Sequence, residues 1–139
     1  MPTDESRKII QRWYDEMWSK KNTDLIPELV GPSYTRHEIG SGTDGTRILS
    51  AEEYRDQTAL FCSGWTITDL RYGLTAEDDR VSVVGTWKIN GQQMDWVQCF
   101  RIEEGRIVET WMGGIGLESG WSDGTFANLR DVRTPACHD

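Results

Sequence analysis

Residues that hold metals or form disulfides are scarce in this chain of 139 residues. It has three cysteines, Cys62, Cys99 and Cys137, and two histidines. The cysteines are odd in number and lack metal-ligand spacing, so neither a disulfide framework nor a zinc site is expected. We therefore predict no metal and no cofactor, since no nucleotide motif is present either. Reduced thiols are typical of a cytoplasmic protein.

The chain also lacks an excess of positive charge and any long apolar run. The formal net charge of −8 argues against nucleic acid or an anionic membrane surface as a partner. No segment approaches the ~20 apolar residues of a membrane-spanning helix, and no signal peptide is expected. The length fits one domain. We predict neither a nucleic-acid nor a membrane partner.

Tryptophan, by contrast, is abundant, with 7 copies. A buried indole needs a partner for its N–H, so a surplus indicates a roomy, aromatic-lined cavity for a small hydrophobic substrate. A tryptophan-rich core or dimer interface is the alternative. The aromatic side chains predicted to form the substrate-binding wall are Trp13, Tyr14, Tyr54, Trp65, Trp87, Trp96 and Trp111.

Residues 80–111 predict three antiparallel strands. Asn90-Gly91 is typical of a two-residue type I′ turn, because both of its positions favour positive φ. This turn places Gly85 opposite Trp96. One face of the sheet is then aromatic, with the single amide of Gln98 among the rings. We interpret that face as a wall of the pocket.

The third strand has two possible registers after the turn at 103–105. A two-residue loop places one set of side chains on the aromatic face: Ile107, Glu109 and Trp111. A three-residue loop with a glycine bulge places the alternate set there: Val108, Thr110 and Met112. The first register is favoured, because Ile107 and Trp111 gain more from burial.

Helical signals precede this sheet. They predict a helix to about Lys20, a second over 25–30, and a third that the capping box Ser50-Ala-Glu-Glu53 opens and that ends near Cys62. Residues 65–75 read as a further strand. Helices followed by a strand-rich half are typical of an α+β domain, whose curved sheet encloses a pocket against the helices.

The C-terminal part of the sequence is polar and irregular from Glu118 onward. We assign residues 1–120 to the α+β domain. Residues 121–139 are assigned to a C-terminal tail that is partly disordered, because terminal segments with few apolar anchors are seldom held in place.

The hairpin Cys99-Phe-Arg-Ile-Glu-Glu-Gly-Arg-Ile-Val-Glu-Thr-Trp111 resembles the F-R-x-x-x-G-[KR]-I-x-E-x-W hairpin of the SnoaL-like family, in the nuclear-transport-factor-two-like superfamily. Shorter matches occur in the right order at 22–30, 34–37, 53–55 and 84–86, so the resemblance covers roughly residues 5 to 117. It implies a cone-shaped barrel, with three N-terminal helices packed on a curved, mostly antiparallel sheet that encloses a hydrophobic pocket. It also implies a homodimer formed sheet to sheet.

The family does not settle the reaction, since its members include polyketide cyclases, isomerases, dehydratases, epoxide hydrolases and non-catalytic binders. Two positions depart from the cyclases that close polycyclic polyketides. Trp87 follows Gly85-Thr86, where those cyclases have a histidine, and Ile115 stands where they use an aspartate. Their aldol step is therefore not carried over.

His37 and Gln98 are the first two candidates for acid–base work. His37 matches a family histidine at the cavity edge, and an imidazole titrates near neutral pH. A hydrogen-bonded structural histidine is the equal alternative. Gln98, among aromatic rings, either orients a ligand carbonyl or bonds a neighbouring side chain.

Glu109 and Asp95 complete the catalytic candidates. If Glu109 faces the aromatic side, desolvation raises its pKa and suits it to act as a general acid. Pairing with Arg101 or Arg106 at the surface is the alternative. Asp95 falls on the opposite face of the hairpin, where we expect it to be solvated or at a subunit contact.

These observations predict a cofactor-free acid–base enzyme acting on a hydrophobic, polycyclic natural-product intermediate in secondary metabolism. Isomerase, cyclase, dehydratase or epoxide-hydrolase chemistry would fit. We expect His37, Gln98 and Glu109 to share one cavity. The alternatives are a non-catalytic carrier of the same ligands and a protein-interaction module.

Overall fold

The computed structural model describes residues 2–38, 45–117 and 123–136. The helices are α1 (Thr3–Arg12), which continues into a π-helix (Trp13–Trp18), a 3₁₀ turn (Thr23–Leu25), α2 (Ile26–Leu29), α3 (Ala51–Gly64) and α4 (Asp123–Ala127). The strands are β1 (Val30–Glu38), β2 (Thr46–Ser50), β3 (Ile67–Glu77), β4 (Arg80–Ile89), β5 (Gln92–Glu103), β6 (Arg106–Leu117) and β7 (Asp131–Arg133). None of the helices in these ranges combines the length and apolar character needed to cross a membrane.

The strands form one curved, mostly antiparallel sheet, as predicted. Their order in it is β2-β1-β6-β5-β4-β3-β7. Of the neighbouring pairs, β1 and β6 are parallel and the others antiparallel. The helices pack on one face: α1 on β3 and β4, and α3 on β1 and β2. The α+β class is thus confirmed. The sheet has two ends, at β2 and β7, so it is an open cone and not a closed barrel.

The β4–β5 hairpin has the predicted turn and register. Asn90 and Gly91 have φ of 51° and 83°, and Gly85 pairs with Trp96. The indole of Trp96 lies flat over Gly85, since a Cβ built there would be 2.3 Å from the ring. Only glycine leaves that space, so the aromatic interior depends on it.

The β5–β6 hairpin has the two-residue loop of the favoured register. Of the three side chains that this register places on the aromatic face, however, only Ile107 lies there. Ile107 pairs with Ile102 and is buried, as predicted. A β-bulge then inserts Val108, and the next pair is Arg101 with Glu109. Because one extra residue exchanges the two faces of a strand, Thr110 and Met112 point toward the helices. Glu109 and Trp111 point to the outer face, contrary to the favoured register.

Residues 123–136 fall within the predicted C-terminal tail, and there the structure has a helix and a strand. β7 pairs with the edge of β3. Phe126 is buried beneath the guanidinium of Arg71, at 4.4 Å, and Leu129 packs against Gly73. These two apolar side chains anchor the segment on the sheet, and the partial disorder expected for the tail stays a prediction. The domain boundary at residue 120 stays a prediction.

Candidate active site

A cavity of about 380 Å³ lies between the helices and the concave face of the sheet. Its size is within the usual range for small-molecule sites. Side chains from the π-helix, α3, β1, β4, β5 and β6 line it: Trp18, Arg36, Glu38, Tyr54, Gln57, Thr58, Phe61, Trp87, Ile89, Met94, Gln98 and Met112. The wall is thus mostly aromatic and aliphatic, with a few polar groups set into it.

Two of the predicted wall residues, Tyr54 and Trp87, line the cavity. Trp13, Tyr14 and Trp96 are fully buried behind it. There Trp96 contacts both Trp87 and Tyr14, with ring centroids 5.2 Å apart in each pair. These three therefore support the wall.

The other two predicted wall residues lie elsewhere. Trp65 comes directly after the end of α3 and is 45% exposed. Its ring stacks on that of Phe61, with 5.8 Å between the ring centroids. Trp111 lies on the outer face of β6, since the bulge at Val108 turns it away from the cavity. Neither side chain is among those that line the cavity.

Gln98 lines the cavity, as its place on the aromatic face predicts. Its side-chain oxygen accepts a 2.6 Å hydrogen bond from the hydroxyl of Tyr14. Burial raises the pKa of Tyr14 well above its usual value, so the hydroxyl remains a donor. Since the oxygen of Gln98 is committed to Tyr14, its amide N–H groups are what it can offer a ligand.

Arg36 and Glu38 are the charged groups of the cavity wall. They alternate with Tyr34 along β1, so all three point inward. Arg36 Nη2 and Glu38 Oε1 are 3.2 Å apart. Burial lowers the pKa of Arg36, whereas neighbouring Tyr54, Tyr34 and Glu38 raise it, and the balance is a raised pKa. The cavity therefore contains a permanent cation and a carboxylate.

His37 and Glu109 meet on the outer face of the sheet. His37 Nε2 is 2.7 Å from Glu109 Oε2, and His37 Nδ1 is 3.0 Å from Thr46 Oγ1. Glu109 Oε1 accepts from Arg101 Nε at 3.0 Å, which is the surface pairing left open above. The ring of His37 stacks on Trp111 at 5.3 Å.

The expectation that His37, Gln98 and Glu109 share one cavity is therefore wrong. Side chains alternate along β1, so His37 faces outward when Tyr34 faces inward. Glu109 also faces outward, because the bulge at Val108 turns it away from the cavity. The hydrogen bonds from His37 and then Arg101 hold the pKa of Glu109 below its usual value, against the effect of burial. The raised pKa predicted for a cavity carboxylate is not found there. A catalytic part for either residue stays a prediction.

The lowered pKa of Glu109 makes stability depend on pH. The free energy by which ionised Glu109 stabilises the folded state is fully present above its unfolded-state pKa, about 4.3. This stabilisation is lost as the pH falls through the lower folded-state pKa. We expect the wild type to lose more unfolding free energy than Glu109→Gln when pH is lowered from about 6 to about 3. Urea unfolding at several pH values in this range measures the free energy of unfolding. Glu104→Gln, which removes an exposed carboxylate, is the control. Identical pH dependence in the wild type and Glu109→Gln would contradict the assignment.

Asp95 lies on the outer face, as the hairpin register predicts, but it is not solvated. Its residue is 1% exposed, and its carboxylate accepts a 3.2 Å hydrogen bond from Gln93 Nε2. It lies in the middle of the sheet, since β5 pairs with both β4 and β6. Asp95 is not among the cavity-lining residues, and its assignment as a catalytic candidate stays a prediction.

Arg36 and Glu38 were not among the residues singled out from the sequence, although a signal for them exists. Tyr34 is the large apolar residue of the segment and is therefore the one expected to face the core. Counting in twos from it places Arg36 and Glu38 inside and His37 outside. Other wall residues from the π-helix, α3, β5 and β6 lack such a local signal, because tertiary packing selects them.

The described residues have a second cleft but no cluster of metal-ligating side chains. A more polar cleft of about 560 Å³ lies beside the β5–β6 turn, lined by Gly31, Pro32, Glu103, Glu104, Arg106 and Val108. It contains no aromatic wall. Within the described ranges, no three His, Cys, Asp or Glu side chains are grouped closely enough to hold a metal ion.

Solved structures with the same architecture come from several bacteria. A candidate ketosteroid isomerase from Kribbella flavida is 13% identical, with a TM-score of 0.70 over 96% of this chain and 93% of that one. A candidate polyketide cyclase from Acidithiobacillus ferrooxidans is 20% identical, with a TM-score of 0.62 over 80% and 88%. A nuclear-transport-factor-two-like protein of unknown function from Mesorhizobium loti is 17% identical, with a TM-score of 0.63 over 82% and 93%. At these identities the likeness shows the fold alone.

Sequence comparison adds the family. A search of curated proteins finds no match. The sequence profile of the SnoaL-like domain matches residues 10–110, which include α2, α3, β1 to β5 and the residues that line the cavity up to Gln98. This span is well over half of the chain. The chain therefore belongs to the SnoaL-like domain family.

Proposed function

We propose that this protein is a cofactor-free enzyme that moves a proton on a hydrophobic, ring-bearing small molecule, such as a polycyclic natural-product intermediate. The observation that carries the proposal is the composition of the cavity. A carboxylate, an amide donor and a guanidinium are set into an otherwise aromatic and aliphatic wall. Proton transfer next to a carbonyl needs a base and a donor for the developing oxyanion, and these groups supply both.

The mechanism assigns a part to each polar group. Glu38, at the end of β1, takes a proton from a carbon next to a ligand carbonyl. The carbonyl oxygen gains negative charge as the C–H bond breaks, and the amide of Gln98 donates a hydrogen bond to it. Tyr14 holds that amide in place through the 2.6 Å bond. If Glu38 then returns the proton to another carbon of the ligand, the net reaction is an isomerisation. If it delivers the proton to a hydroxyl on the next carbon, the C–O bond breaks, water leaves, and the net reaction is a dehydration.

A non-catalytic carrier of the same ligands is the second candidate. It is favoured by one observation: the histidine predicted to move protons, His37, is bound to Glu109 and Thr46 on the outer face. A carrier would use the aromatic wall and need no base. A protein-interaction module is less favoured, because such a role does not need a cavity lined by aromatic side chains.

Binding is tested with the neutral fluorescent probe N-phenyl-1-naphthylamine. Gln57 lies at the solvent side of the cavity wall, so Gln57→Trp would fill the entrance without touching the core. We expect it to weaken probe binding about tenfold or more, the loss of roughly 1.4 kcal/mol of contact. Ala59→Trp, on the exposed side of α3, is the matched control and should bind like the wild type.

Catalysis is tested separately by incubating the protein with a cyclic β,γ-unsaturated ketone that displaces the probe. Conversion to the conjugated ketone, followed by absorbance, supports the enzyme. Displacement without any product supports the carrier. Unchanged probe binding in Gln57→Trp would remove both, because neither candidate can act without the cavity.

We also propose a homodimer and a cytoplasmic location. The outer face of β4 to β6 has the half-buried Val84, Val97 and Trp111 among polar groups, and a second copy would cover it. Light scattering of the purified protein measures this, and a monomer at micromolar concentration would contradict it. Cys62 and Cys99, the cysteines in the described ranges, are free thiols, which fits a reducing compartment.

A further inference from the structure

Arg36 is held rigidly inside the cavity. Its guanidinium carbon lies 5.1 Å from the centre of the Tyr54 ring, and its side chain is only 20% exposed. On the neighbouring strand its partner is Thr110, which is fully buried and bonded to Tyr34 at 2.6 Å. A cation fixed between a ring and the sheet has little freedom to move into solvent.

The hydrogen-bonding capacity of Arg36 is largely unused. A guanidinium offers several N–H donors in a planar fork. Nη2 contacts Glu38 at 3.2 Å, whereas Nε is buried and has no hydrogen-bond partner among the described residues. A buried donor left without a partner is costly, and such groups are rare in native proteins. An acceptor bound in the cavity could therefore bond to this guanidinium.

Glu38 leaves room for such an acceptor. Its contact with Arg36 is through Nη2, so other N–H groups of the guanidinium can bond a ligand while Glu38 keeps the position that its role as the base requires. Glu38 is the one carboxylate among the side chains that line the cavity in the described ranges. A planar ligand carboxylate can bond a guanidinium in two places, which is stronger than the single contact that Glu38 makes.

We propose that the ligand of this cavity carries an acidic oxygen group, a carboxylate or an ionised enol, and that Arg36 binds it. The hydrophobic body of the ligand then lies against Trp87, Phe61 and Met94. This inference rests on the proposed function only in taking the cavity as the ligand site. The opposite arrangement, a ligand ammonium on Glu38, is disfavoured because Arg36 already occupies the ring face of Tyr54.

A matched pair of probes isolates the charge. 8-Anilinonaphthalene-1-sulfonate and N-phenyl-1-naphthylamine share one ring system and differ by an anionic group. We expect Arg36→Met to weaken binding of the sulfonate by about thirtyfold, as for truncation of one partner of a buried charge pair, and to change binding of the neutral probe less than threefold. Arg55→Met, which removes the same charge from a half-buried position on α3 that does not line the cavity, should leave both affinities unchanged.

Glu38→Gln supplies an independent test of opposite sign. Removing the competing carboxylate should tighten binding of the sulfonate severalfold. This variant leaves Arg36 in place, so its result does not depend on the Arg36→Met variant. Tighter binding in Glu38→Gln together with weaker binding in Arg36→Met supports the inference. Equal affinity of the sulfonate for the wild type, Arg36→Met and Glu38→Gln overturns it while the cavity still binds the neutral probe. If the neutral probe also fails to bind the wild type, the proposed function fails as well.

Discussion

Glu38→Gln is expected to lower turnover of a cavity substrate by about a hundred- to ten-thousand-fold, the usual loss when a general base is removed. Glutamine keeps the size of the side chain and one of its two acceptor oxygens, so substrate affinity should change by far less than turnover. The measurement is the initial rate of conversion of the β,γ-unsaturated ketone, with the Michaelis constant determined in parallel. Glu52→Gln, an exposed carboxylate on α3, is the control.

The same assay decides between this assignment and the one that places proton transfer on His37. If the wild-type rate survives in Glu38→Gln but is lost in His37→Ala, the base is the histidine and the cavity described here is not where the proton moves. Loss in Glu38→Gln with a retained rate in His37→Ala supports the cavity. The geometry favours the second outcome, because His37 Nε2 is already bonded to Glu109.

Gly85→Ala is expected to destabilise the protein by about 3 kcal/mol, at the upper end of the cost of overpacking a core. The added Cβ would lie 2.3 Å from Cη2 and Cζ2 of Trp96. Trp96 is fully buried and stacked on Tyr14 at 5.2 Å, so it cannot yield without disturbing the rings beside it. Urea unfolding of the purified variant measures the loss.

A double-mutant cycle identifies the clash as the cause. Trp96→Leu removes the atoms that the new Cβ would meet, and by itself should cost about 3 kcal/mol through the cavity it leaves. In that background Gly85→Ala should cost less than about 1 kcal/mol, which gives a coupling near 2 kcal/mol. Gly64→Ala is the control, since a Cβ there meets nothing within 4 Å. Additive losses would show that Gly85 acts through backbone conformation.

Local sequence signals predict helix starts and turns well where a residue type has one specific structural role, such as capping a helix or forming a tight turn. The capping box is present in both directions, with Ser50 Oγ accepting from the Glu53 amide at 3.0 Å and Glu53 Oε1 accepting from the Ser50 amide at 2.9 Å. The Asn90-Gly91 turn sets the register of β4 and β5. Family membership and the α+β class follow from such signals in their right order.

The candidate site was harder to predict, because it depends on which face each strand presents. The bulge at Val108 has no distinctive residue, since valine is an ordinary strand former, so the turn alone predicts the wrong side for Glu109. His37 was singled out for its chemistry, whereas the alternation from Tyr34 would have placed it outside. Residues 123–136 show the same limit, because the pairing of β7 with β3 depends on packing by Phe126 and Leu129.

The bulge at Val108 also bears on how such a cavity can change during evolution. Loss of Val108 itself would leave Thr110 and Met112 on the cavity side, because inward-facing Ile107 would then be followed directly by outward-facing Glu109. If instead the bulge were flattened with Val108 retained, the rest of β6 would shift by one position, and Glu109 and Trp111 would replace Thr110 and Met112 on the cavity side. A carboxylate and a ring would then enter the site together, although no residue that lines the cavity had been substituted.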